Sequence, residues 1–315
     1  MAPRAHVERR TGPDVARSLE VDSSTATALI MAAMCAEVVA VEGPKSTWRA
    51  VRWLVVVALL GGAAVAIVKA WPMPGPPPIQ SHCTASSPTG RYSLGLDQAA
   101  NATTIALAAK RLGLADHAVT IGLAVALQES GLENLDHGDR DSLGLFQQRQ
   151  SEGWGTPAQI MDPLDSSLSF FRHLARISGW ETMEVTVAAQ KVQHSAAPAA
   201  YADWEDQARV IASVLTGEAP SGFACTYASV NLPPSSAGLA PALVAQLGEN
   251  PLTGPLPEKS GWMVASWVVA HAHQYGIGSV TFAGKEWTPS RADWTTDPTA
   301  DMTVRFSPAK PVVEN

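Results

Sequence analysis

"ALQESGLENLDHGDRDSLGLFQQRQ", residues 126–150, is the stretch from which the rest of the chain is read. An apolar run from Ala118 to Leu127 ends in a lone acid at Glu129, and a loop rich in Asp and Gly follows before the chain turns apolar again at Leu143. A run that is apolar on every face implies a helix enclosed by others rather than one lying on a surface. Glu129 then stands where a buried helix runs out. A carboxylate placed there meets two effects that disfavour its charge, burial in a low dielectric and the negative end of the helix dipole. A carboxyl that keeps its proton near neutral pH is what glycoside cleavage uses to protonate a departing sugar oxygen.

Helices are expected around this one. Asp97 is placed to cap a helix that runs to about Leu112 and stops at Gly113, and Asp116 opens the helix that carries Glu129. Asp162-Pro163 is a cap followed by proline at the first helical position, and Leu164, Leu168 and Phe171 recur after it at helical spacing. Further helices are expected over Val185 to His194 and Trp204 to Leu215.

"QES" at Gln128 to Ser130, followed by "GLFQ" at Gly144 to Gln147, resembles the Glu-Ser and Gly-Leu-Met-Gln motifs of the lytic transglycosylases and goose-type lysozymes, with Phe146 where Met is usual. "LDHGDRDSLGLFQQR" and "EGWGTPAQIMDP" look like a group of actinobacterial membrane-anchored or secreted proteins with a lysozyme-like domain, and the likeness covers roughly residues 90 to 220. It implies cleavage of the bond between N-acetylmuramic acid and N-acetylglucosamine in peptidoglycan strands, with Glu129 as general acid and then base. Ser130 and Gln147 would orient the acid or bind sugar, and Leu145 and Phe146 would pack beneath. The Tyr-Asn-Ala-Gly segment of many transglycosylases is not recognisable. In its place stands "AAQKVQHSAAPAAYADWE", where Gln193, Ser195 or Tyr201 would line the cleft; Trp154 would stack on a sugar face or lie in the core.

The aspartates between acid and GLFQ leave the subtype open. Asp139 or Asp141 would activate water in an inverting hydrolase, or Asp136, Asp139 and Asp141 would shape the turn. No cofactor or metal is expected: "DHGDRD" lacks calcium-loop spacing, and His271 and His273 fall on different faces of their helix. The competing class is a catalytically silent peptidoglycan-binding or assembly protein of an envelope complex, with protein partners unspecified.

Trp53 to Val68 has no charge and extends with Ala70 and Trp71 to about the lower limit of a bilayer span. Lys45, Arg49 and Arg52 crowd its N-terminal side, so a single-pass cell-membrane protein with its C-terminal part outside is expected. Ala64-Val65-Ala66 offers secretion after signal cleavage as the alternative, if translation starts at Met31 or Met34. The 14 basic and 23 acidic residues after Lys69 leave that part at −9, which argues against nucleic acid as a partner. Cys83 and Cys225 are the only cysteines beyond the span and are expected to pair, whereas Cys35 lies before it.

The fold class expected is mainly α, organised as a cytoplasmic tail (1–52), a transmembrane helix (53–71), a Pro-rich linker (72–89), a lysozyme-like domain (90–225), a second linker (226–258) and a small α+β module (259–315). In the last, one helix over Gly261 to Tyr275 and strands at "SVTFAG", "KEWT" and "MTVRFS" are expected, with Trp287 and Trp294 in core or interdomain packing or, as the alternative, on a carbohydrate-stacking surface.

Overall fold

β1 (His82–Ser87) and β2 (Gly90–Leu94) form an antiparallel hairpin across the expected boundary between linker and lysozyme-like domain. The strand signal is present but short: in "HCTASS" the buried residues are the alternate ones, Cys83 and Ala85. The computed structural model describes residues 80–195, 199–228 and 236–309.

α1 (Leu96–Arg111) is capped by Gly95, whose N–H donates to the Gln98 side chain at 2.7 Å; Asp97 lies in its first turn rather than at the cap. α2 (Asp116–Ser130) buries every residue from Ala118 to Leu127, as the apolar run implies. It ends at Gly131, in the left-handed conformation, with Leu132 N–H returning to the Ala126 carbonyl at 3.1 Å, which satisfies a terminal acceptor. β3 (Ser142–Leu143) and β4 (Gln148–Arg149) make a small hairpin whose turn is the GLFQ stretch. α3 (Pro157–Met161) and α4 (Pro163–Leu174) follow; Asp162 caps α4 by accepting from Leu164 and Asp165 N–H at 2.9 Å. α5 (Val185–Gln193), a 3-10 turn (Ala200–Trp204) and α6 (Glu205–Leu215) complete the wrapping of α2.

β5 (Phe223–Thr226) then returns to pair with β1, giving a sheet of order β2-β1-β5. Cys83 lies opposite Cys225 in that register, and the two form the expected disulfide. Beyond it come α7 (Leu239–Leu247), α8 (Glu258–His271) and a four-stranded antiparallel sheet, built from β6 (Ile277–Phe282), β7 (Lys285–Trp287), β8 (Thr295–Thr296) and β9 (Arg305–Pro308) in the order β8-β7-β6-β9.

These later elements share one hydrophobic core with the earlier helices, and all described residues fall in one compact unit. The indole N–H groups of Trp287 and Trp294 donate to the carbonyls of Cys225 and Phe223 at 3.0 and 2.7 Å, so the last sheet's tryptophans satisfy backbone that β5 leaves unpaired. Gly261 permits the same closeness inside the later part, since a Cβ there would lie 1.9 Å from Phe282 Cζ. On the surface, Asp116 pairs with Lys110 of α1 and Lys259 of α8, which ties the start of α2 to both.

Two expectations are corrected. The described chain is not mainly α: it is about 48% helical with three sheets, because the segment assigned to a linker forms β1, the start of the domain expected to be helical forms β2, and a C-terminal sheet joins the common core. The reading as a single-pass cell-membrane protein with a transmembrane helix is not supported either. No helix among the described residues is long and apolar enough to cross a membrane. The longest, α1, has 16 residues, and the most uniformly apolar, α2, is covered on all sides by its own neighbours. Residues 53–71, on which that reading rested, lie outside the described residues, as do the 1–52 tail, Cys35 and the Pro72 to Pro78 spacer.

Candidate active site

Glu129 is the penultimate residue of α2 and is half-buried. The Tyr201 hydroxyl donates to its Oε1 at 2.6 Å. Tyr201 is 0% exposed; burial, and then the bond to Glu129, push its hydroxyl well above the ordinary phenol range, so it remains a donor across the whole physiological span. Glu129 Oε2 has no hydrogen-bond partner among the described residues. Among the described residues, one oxygen is therefore fixed and the other is unbonded.

The neighbouring turn of α2 is held the same way. Trp204 Nε1 donates to Gln128 Oε1 at 2.7 Å, so Tyr201 and Trp204, three residues apart on one 3-10 turn, grip consecutive residues of "QES". Trp204 and Gln128 were not singled out from the sequence as a pair. The available signal was the i, i+3 spacing of the two aromatic donors in "YADW", which puts both on one side of a 3-10 turn.

Ser130, Gln193 and Gln147 donate to backbone carbonyls at or beside the GLFQ turn. Ser130 Oγ donates to the carbonyls of Ala126 at 3.1 Å and Leu145 at 2.8 Å, which couples the end of α2 to the GLFQ turn. Gln193 Nε2 donates to the Phe146 carbonyl at 2.9 Å, which couples α5 to that turn. Leu145 and Phe146 are fully buried, and Phe146 stacks on Phe170 at 4.8 Å. Gln147 adopts a left-handed backbone (φ 47°), and its Nε2 reaches the carbonyls of His137 and Gly144 at 3.3 and 3.2 Å. Gly144 has φ 76°, and a Cβ there would sit 2.5 Å from the Ile160 carbonyl oxygen, so glycine is required by both conformation and space. Trp154 is half-buried, packs on the core and lies 4.4 Å from the His173 ring, apart from the contacts made by Glu129.

The aspartates divide. Asp141 accepts from Ser151 N–H, Arg149 Nε and Ser151 Oγ at 2.8, 2.9 and 2.8 Å. The Ser151 N–H, then Arg149 and the Ser151 hydroxyl, hold its carboxyl far below the usual range. Asp139 is 93% exposed beside Arg140, and Asp136 is exposed and bonded to His137. Neither makes a contact with Glu129 or its partners among the described residues. No group of three or more His, Cys, Asp or Glu among the described residues is arranged to hold a metal ion.

No protein-family model matches the chain, and no curated protein matches it in sequence.

Proposed function

We propose that the protein cleaves the β-1,4 bond between N-acetylmuramic acid and N-acetylglucosamine in peptidoglycan, and that it does so as a lytic transglycosylase with Glu129 as its one acid and base. The observation that carries this reading is the half-buried Glu129 with Oε1 fixed by Tyr201 and Oε2 unpartnered among the described residues. Protonated on Oε2, Glu129 gives its proton to the glycosidic oxygen as the bond from that oxygen to the muramyl anomeric carbon breaks. The carboxylate left behind faces the oxocarbenium-like sugar. It then accepts the proton of the muramyl 6-hydroxyl while that oxygen bonds to the anomeric carbon, giving a 1,6-anhydro end and consuming no water.

The state of Asp141 favours this route over inverting hydrolysis. An inverting base must take a proton from water, and the three hydrogen bonds that Asp141 accepts from Arg149 and Ser151 stabilise its ionised form and weaken it as a base. Digestion of purified cell wall by the full chain and by Glu129→Gln tests the proposal. Wild type should release muropeptides whose mass lacks one water, and Glu129→Gln should release none above background. Equal release by both proteins would sink the assignment, and reducing muramic ends in place of anhydro ends would sink the transglycosylase subtype.

A further inference from the structure

A cleft of about 1040 Å³ opens between the N-termini of α1 and α4 on one side and α7 with the end of α8 on the other. Glu129, Tyr201 and the GLFQ turn do not line it, so it is separate from the site above. Its wall carries the carboxylates of Asp97, Glu133 and Asp162, and no Lys or Arg is among its lining residues.

His271 gives the cleft a second and independent feature. It is only 6% exposed, stacks on Trp267 at 4.0 Å, and donates from Nδ1 to the Trp267 carbonyl at 2.9 Å. A carbonyl only accepts, so the neutral ring's proton is on Nδ1 and Nε2 presents a lone pair. Nε2 has no hydrogen-bond partner among the described residues, and His271 lines the cleft. Burial pushes the imidazole down to about 4, so at neutral pH the lone pair is retained. Beside it, Gln246 uses Oε1 to accept from Trp267 Nε1 at 2.8 Å, which leaves its Nε2 donors unpaired among the described residues. Asn101 likewise donates through Nδ2 to the Leu132 carbonyl at 2.9 Å and leaves its Oδ1 as an acceptor.

We propose that this cleft is a second binding site, which takes a peptide through a side-chain primary ammonium. The exposed carboxylates of Asp97 and Glu133 attract the cation, His271 Nε2 and Asn101 Oδ1 accept N–H groups, and Gln246 Nε2 donates to a peptide carbonyl. A saccharide fits the lining less well, since no Trp, Tyr or Phe is present in it to cover a sugar face. A single metal ion fits less well again, because no cluster of metal-ligating residues occurs among the described residues. The proposal stands on the cleft's own residues and does not depend on the role of Glu129.

Isothermal titration of the full chain with acetyl-Ala-Lys-Ala-amide tests it, with the Nε-acetyl-lysine peptide and chitotetraose as comparison probes. Saturable one-to-one binding of the lysine peptide is expected, weakened by about tenfold or more when the amine is acetylated and by a similar factor in the surface variant Asp97→Asn/Glu133→Gln. His271→Phe, which keeps the stack on Trp267, should weaken binding wherever its circular dichroism matches wild type. Glu129→Gln should bind as wild type does, so this result and the catalytic one are read separately. Absence of saturable binding at millimolar peptide, equal affinity for the acetylated peptide, or tighter binding of chitotetraose would overturn the proposal.

Discussion

Tyr201→Phe is the sharpest perturbation of the site because it deletes one oxygen and keeps the ring. The ring is 0% exposed, so phenylalanine fills the same space and the packing around α2 is preserved. What is lost is a 2.6 Å hydrogen bond to the carboxyl of Glu129. Hydrogen bonds to ionised groups contribute about 1.5–3 kcal/mol, and each 1.4 kcal/mol is about a factor of ten in rate, so kcat should fall by roughly 10- to 150-fold if the bond is needed to aim the acid in the transition state. KM should change little, because Tyr201 is spent on Glu129 and not on sugar. Trp204→Phe is the matched control: it removes the parallel bond to Gln128 and leaves the acid's own partner in place. Kinetics on soluble glycan fragments, read by chromatography of anhydro products, give both constants. A Tyr201→Phe enzyme within about twofold of wild type in kcat, or one whose only change is a raised KM, would refute the positioning role.

Other expectations concern the frame that holds the site. Breaking the disulfide with Cys83→Ala/Cys225→Ala opens a separation of 142 residues and should lower unfolding stability by up to about 5 kcal/mol in the chain-entropy model, measured by urea titration. Gly261→Ala would gain about 1 kcal/mol from helix propensity alone, but its Cβ would lie 1.9 Å from Phe282 Cζ; overpacking of about 1–3 kcal/mol should win, and the melting temperature should drop. Burial pushes the Asp116 carboxyl up, but the hydrogen bonds and charges of Lys110 and Lys259 together outweigh it and hold the group below its ordinary value. A lowered folded value means its stabilisation is complete above the unfolded value of 3.8 and is lost as pH falls below it, so Asp116→Asn should narrow the gap between urea midpoints at pH 7 and in strong acid.

The parts legible in the sequence are those with a local cause. The all-apolar face of residues 118–127, the Asp162-Pro163 cap and the stop at Gly113 each declare their structure within a few residues, and each is found. So is the disulfide, where elimination was enough. What escaped depends on partners far away in sequence. β1 is six residues long, and only β5, which begins 141 positions later, makes it the middle of a sheet. Trp287 and Trp294 carry an apolar body that any core would accept; their donors meet carbonyls of β5 because the last sheet packs there, and no spacing rule announces it. For the site, Glu129 was legible as a lone acid at a helix end. Ser130, Gln147 and Gln193 were expected near it, but their amides and hydroxyl face backbone carbonyls, a distinction that residue type alone does not make.

That distinction bears on how one carboxyl would serve both halves of the reaction. Three polar side chains around the GLFQ turn donate to backbone: Ser130 to Leu145, Gln193 to Phe146, Gln147 to His137 and Gly144. Asp141, one of the two carboxylates offered by the sequence as a separate base, accepts on both oxygens from Arg149 and Ser151 and holds the β3–β4 hairpin. Rigidity of that kind lowers the cost of holding the acid in one place, since the surrounding turn need not reorganise as charge moves. Glu129 Oε2 is left unbonded among the described residues, so the group that delivers the proton is also one able to take it back. Intramolecular attack by a sugar hydroxyl asks for that return and nothing further, whereas inversion asks for a second carboxylate as base, a role that Asp141, its ionised form held by Ser151 and Arg149, fills poorly.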